Sequence, residues 1–173
     1  MRNIIISCLL LSSVTLVAQD LEYPIIKKYG GVVNVPNTIN PTVGGKMIID
    51  ITGTDVTGAG TNKSLDRVAR LINLYGLAGI QPSELDIAVI IHGGATKTII
   101  TNEGFQEKYQ SDNPDLSLIK ALTDHGVKVM VCSQALARRG FKTEWLNPDV
   151  GLALSALTTL VEYQQNGYIQ LIY

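Results

Sequence analysis

Cys132 stands where one sequence period gives way to another. Val127-Lys128-Val129-Met130-Val131 is β-branched and apolar, the pattern of a buried strand. Gln134-Ala135-Leu136-Ala137-Arg138-Arg139 is rich in helix formers and stops at Gly140. A thiol at that junction sits at a strand's C-terminal end, just ahead of a helix. Unpaired N–H groups and the positive end of the helix dipole favour the thiolate there, and the thiolate is the reactive form. A second apolar run, Asp86-Ile87-Ala88-Val89-Ile90-Ile91, ends at His92-Gly93-Gly94. An imidazole there can carry protons, and the glycines let backbone N–H groups approach a small anion. Cys132 and His92 are the candidate catalytic pair. The candidate binding residues are Asn62, Gly93, Gly94, Ser133, Gln134 and Arg139.

Each of these residues also has a purely structural reading. A lone cysteine at a strand end is more often buried filler than a nucleophile. His92 can bond a backbone carbonyl or cap a helix, Gly93-Gly94 can be a tight turn, and Arg138-Arg139 a solvated helix face. The Thr/Gly-rich stretch 52–61 lacks both the lysine of a phosphate-binding loop and the spacing of a dinucleotide fingerprint. Two cysteines and two histidines make no zinc signature, and no serine nucleophile elbow is present. No metal or cofactor is expected.

Alternating strands and helices must position these groups. Lys46-Met47-Ile48-Ile49-Asp50-Ile51 reads as the first core strand. Asn62 or Ser64 then caps a helix with Leu65, Val68, Ala69, Leu71, Ile72 and Tyr75 on its apolar side. Residues 86–91 form the second strand. The stretch 96–109 is an ambiguous helical connection interrupted at Asn102 and Gly104. A clearer helix over 115–125 leads to the Cys132 strand. A short strand near 150–153, a helix capped by Ser155 and a last strand over 168–172 complete the chain. The expected fold is α/β, a mainly parallel sheet of about five strands with helices on both faces and right-handed crossovers. Ligands bind beyond the strand ends of such a sheet.

The 173 residues suffice for one domain, and 46% hydrophobic against 17% charged residues mark a globular chain. No Lys/Arg-rich run marks a nucleic-acid surface. Residues 1–18 read as a secretory signal: Arg2, a short apolar run and small Ala18 before polar Gln19. That run is too short for a comfortable membrane span, so no stable membrane insertion is expected. Cys8 precedes the apolar stretch instead of following it, which argues against a lipid-attachment site. Removing the signal leaves Cys132 as the one cysteine, so the mature chain has no internal disulfide. Residues 19–45, with Pro24, Pro36 and Pro41, read as an extended arm lying over its own domain or a neighbouring subunit, and 46–173 as the α/β domain.

Several of these blocks resemble a known family. They are His92-Gly93-Gly94-Ala95-Thr96, Val131-Cys132-Ser133-Gln134-Ala135-Leu136-Ala137-Arg138-Arg139-Gly140, Ala153-Leu154-Ser155-Ala156-Leu157-Thr158 and Gln164-Gln165-Asn166-Gly167-Tyr168. In this order they resemble the DsrE/DsrF-like family, particularly its exported single-domain members; Asn62 and Arg67-Val68-Ala69-Arg70 fit that subset too. The resemblance implies a three-layer α/β/α sandwich and a homo-oligomer, often built from trimers. It also implies, for some members, a persulfide held on a cysteine matching Cys132. Two functions follow as expectations for a periplasmic protein. One is a thiol-based sulfur or redox carrier working with a sulfur donor or acceptor. The other is a non-catalytic oligomeric protein that binds a small ligand, with Cys132 structural.

Overall fold

A computed structural model describes residues 20–173; the expected signal segment and its Cys8 lie outside the described residues. The element order is β1 (Lys46–Ile51), α1 (Lys63–Leu77), β2 (Asp86–Ile91), α2 (Asn102–Tyr109), α3 (Leu116–Asp124), β3 (Lys128–Cys132), α4 (Ser133–Arg138), β4 (Gly151–Ala153), α5 (Ala156–Gln165) and β5 (Ile169–Ile172). The five strands form one sheet in the order β4-β3-β2-β1-β5, and every pairing is parallel. Among the described residues no helix is long and apolar enough to cross a membrane.

The connections follow from handedness. Steps from β1 to β2, β3 and β4 all advance across the sheet in one direction, so right-handed crossovers stack their helices on one face. The last step returns to the far side of β1, and α5 therefore covers the opposite face. Side chains alternate accordingly. Met47, Ile49, Ile51, Ile87, Val89, Ile91, Val129 and Val131 enter the larger core, against α1 and α3. Ile48, Ala88, Ile90 and Cys132 enter a smaller core with Ala156 and, at its margin, Leu160 and Tyr163 of α5.

Two sequence irregularities have packing causes. Gly104 does not break its helix: α2 runs through it, capped by Thr101. A Cβ at Gly104 would lie 2.6 Å from Cγ of Trp145, so only glycine lets the buried indole close the larger core there. The arm is anchored on its own domain through Asn73 of α1, which is fully buried. Its Oδ1 accepts from the N–H groups of Ile25 and Ile26 at 2.9 and 2.8 Å. Its Nδ2 donates to the carbonyls of Ile26, Tyr29 and Gly30. A segment with little regular secondary structure is thereby satisfied by one side chain.

Asn62 and Asp115 form a second buried polar junction. Asn62 caps α1 by accepting from the N–H groups of Ser64 and Leu65 and donates to the Gly53 carbonyl. Its own N–H donates to Oδ1 of Asp115 at 2.6 Å. Burial pushes the Asp115 carboxyl above its ordinary value, and the Asn62 N–H only partly offsets this.

Asn73→Ala should strand those five backbone groups and cost about 3 kcal/mol, and limited proteolysis should then cut within 20–45 before the α/β domain unfolds. Asp115 contributes stability that is present below the ordinary carboxylate range and lost as pH rises through its raised value. Asp115→Asn keeps an acceptor for the Asn62 N–H without the charge. The variant should therefore melt above the parent at neutral pH, and the difference should vanish in acid.

Candidate functional site

Three strands deliver polar side chains to one edge and one face of the sheet. Asp50 of β1 shares the parity of Ile48, which faces the smaller core. β2 and β3 pair Ile91 with Val131, so the next residues, His92 and Cys132, leave their strands side by side. Beyond them lies a pocket of about 660 Å³, closed by α4 and by the first turn of α5. Cys132, His92, Gly93, Gln134 and Arg139 all line it.

Cys132 is a free thiol, 6% exposed, and is the residue that immediately precedes α4. The strand-to-helix junction read from the sequence is therefore present. With six residues, however, α4 sums few peptide dipoles, so the field at its start is weak. The stronger local charges come from side chains: both Arg138 and Arg139 reach the pocket wall.

His92 has extended backbone, and its N–H donates to the Ile51 carbonyl at 3.0 Å. Its ring makes no capping bond to the short 3-10 helix that follows. Nε2 instead donates to Oδ1 of Asp50 at 2.7 Å, with the two side chains 28% and 15% exposed. Among the described residues no hydrogen bond joins Cys132 to the ring, so a proton passing between them needs a bound molecule or a water as intermediary.

Other expected binding residues are placed elsewhere. Asn62 is a buried helix cap, as described above. A Cβ on Gly94 would lie 2.4 Å from Cγ2 of Thr54; this glycine packs the loops behind the pocket instead of lining it. Ser133 Oγ donates to the Leu154 carbonyl at 2.8 Å, tying the start of α4 to the chain entering α5. Ser155, Ala156 and Leu157 line the pocket and were not anticipated, nor was Ala135 of α4. Asp50 was also missed, although a lone carboxylate within an apolar strand is a visible signal. Among the described residues no group of His, Cys, Asp and Glu is arranged to hold a metal ion.

A parallel five-stranded α/β sandwich with a free cysteine at the end of its third strand defines the class. The model of the DsrE/DsrF-like family matches residues 46–172, and the chain belongs to that family. Among solved structures, the YchN protein from E. coli aligns with a TM-score of 0.54 at 19% identity, covering 75% of this chain and 99% of that one. The protein of unknown function MTH1491 from Methanobacterium thermoautotrophicum aligns with a TM-score of 0.51 at 18% identity, again over 75% and 99%. At such identities the likeness concerns the fold. No curated protein matches the sequence.

Proposed function

We propose that this protein is an exported, thiol-based sulfur carrier in which Cys132 holds sulfane sulfur as a persulfide. The observation that carries the reading is a free cysteine opening on a pocket that also contains His92 and two arginines. The donor is a persulfide, R–S–SH. The Cys132 thiolate attacks its outer sulfur, the S–S bond breaks, and the electron pair leaves with RS⁻. The products are Cys132–S–SH and, after protonation, RSH. No oxidant or reductant is required. His92 accepts the thiol proton through a water or the bound donor and returns it by the same route to the leaving thiolate. Arg138 and Arg139 favour an anionic donor and the anionic persulfide.

The alternative is an oligomeric protein that binds a small ligand, with Cys132 as packing. Ala135, Ala156 and Leu157 on the pocket wall and the near-burial of the thiol favour it. Export rests on the pattern of residues 1–18 and implies a mature chain beginning near Gln19 in the periplasm. Assembly into a homo-oligomer built from trimers is part of the same proposal. Leu157 and Val161 are exposed apolar side chains of α5, Leu154 is exposed just before its cap, and Leu157 lies 78% exposed at the pocket's rim.

In folded mature protein Cys132 should alkylate at neutral pH, and exposure to a low-molecular-weight persulfide should add the mass of one sulfur. Intact-mass spectrometry of the exported chain reads this addition together with the cleavage site. A thiol that stays silent until denaturant is added would leave the ligand-binding alternative standing, and a chain retaining Arg2 would refute export. Light scattering should find more than one subunit across a range of concentrations; a monomer at micromolar concentration would contradict the assembly.

A further inference from the structure

Asp50 is a carboxylate set into an otherwise apolar strand. It interrupts an apolar strand between two fully buried isoleucines, Ile49 and Ile51, and is itself only 15% exposed. Partial burial of a charge is unfavourable unless it is paired. Other half-buried carboxylates here have cations or several donors: Asp86 has Lys128 and Tyr168, and Asp66 has Arg70 and the Gly30 N–H. The hydrogen bond recorded for the Asp50 side chain runs to His92. We infer that Asp50 is the positioning residue of the sulfur-carrier site, holding His92 in the tautomer that leaves Nδ1 free to take and return the Cys132 proton. The inference rests on the carrier reading proposed above.

An ionised carboxylate only accepts, so the 2.7 Å contact requires a proton on Nε2. The neutral ring then keeps its lone pair on Nδ1. When Nδ1 takes the thiol proton, the ring becomes a cation hydrogen-bonded to Asp50. The charged or titratable groups around it are Asp50 from β1, Cys132 from β3, and Arg138 and Arg139 at the end of α4; the start of α5 contributes only its cap Ser155 with Ala156 and Leu157. The arginines oppose a further positive charge in the pocket, and Asp50 is the anion placed against the ring to offset them. His125 provides an internal contrast. Its Nδ1 donates to the Ala121 carbonyl at 2.7 Å, so its neutral form keeps Nε2 free. The two histidines of the chain therefore hold opposite tautomers.

The test uses full-length mature protein labelled with ¹⁵N-histidine, whose long-range proton–nitrogen NMR spectrum reports each tautomer. The parent should show a proton on Nε2 in His92 and on Nδ1 in His125. In Asp50→Asn the amide can either accept from or donate to Nε2, so the acceptor-only partner that fixed the tautomer is gone and His92 should now populate the Nδ1–H form as well, while His125 stays unchanged. Sulfur loading of Cys132 from a persulfide donor at neutral pH should slow by about 100-fold, the lower range of what positioned proton transfer contributes. His92→Gln should cause a similar loss, and the double variant no further loss. A parent whose Cys132 takes no sulfur refutes the carrier reading. A parent that loads sulfur, with Asp50→Asn loading as fast or slowing without the tautomer change, refutes the role of Asp50 alone. If Asp50→Asn does not fold, His92→Gln decides: loading at the parent rate overturns the inference, and the loss sustains it.

Discussion

The hydrogen-bonded register between β2 and β3 sets Ile91 opposite Val131, and the rest of the site depends on it. Side chains alternate between faces along a strand, so a slip of one residue would bury Cys132 in the larger core and turn Val131 toward the pocket. The slip is prevented by apolar residues on both faces. Residues 87, 89 and 91 of β2 fill one core while 88 and 90 fill the other, and every position from 87 to 91 is buried. A register this strongly specified sends His92 and Cys132 out of adjacent strands on the same side. β1, paired in register with β2, brings Asp50 to that face from the next strand.

The two faces are unequally built. The larger core gathers α1, α3, Trp145 and the anchored arm, whereas the smaller one is covered chiefly by α5. The inequality follows from topology: three crossovers fall on one side and one on the other. Buried polar groups on the heavier side, Asn73 and Asn62, are saturated with backbone partners and serve the architecture. On the lighter side polar groups face open volume. The candidate site and the structural reinforcement thus lie on opposite faces of one sheet.

Much of this was legible in the sequence because it is local. β1 and β2 were readable as apolar runs to their last residues, and the Cys132 junction as a change of period. Asn62 and Ser155 were readable as caps from their place before amphipathic stretches. What escaped depends on contacts between distant segments. Gly104 looked like a helix breaker because its neighbour, Trp145, is 41 residues away in the chain. Asn73 gave no sign that it would hold the arm, since five of its bonds go to residues 25–30. Asn62 was read both as a cap and as a binding residue, and only the three-dimensional structure shows its amide committed to the cap, the Gly53 carbonyl and burial. Asp50 was overlooked because its partner becomes visible only once strand order and face are known. The place of Cys132, at the end of a strand and ahead of a helix, was legible; its surroundings were not.

The chain carries one tryptophan, and Cys132 is the only cysteine among the described residues. They lie in different cores: Trp145 belongs to the larger and Cys132 to the smaller. The unequal faces therefore come with separate native reporters, indole fluorescence for one and thiol accessibility for the other. Coincident signals during denaturation would mean that both sides of the sheet are lost as a single cooperative unit. Earlier exposure of the thiol would mean that α5 lifts from the sheet while the Trp145 side remains intact, making that helix an independent unit of opening.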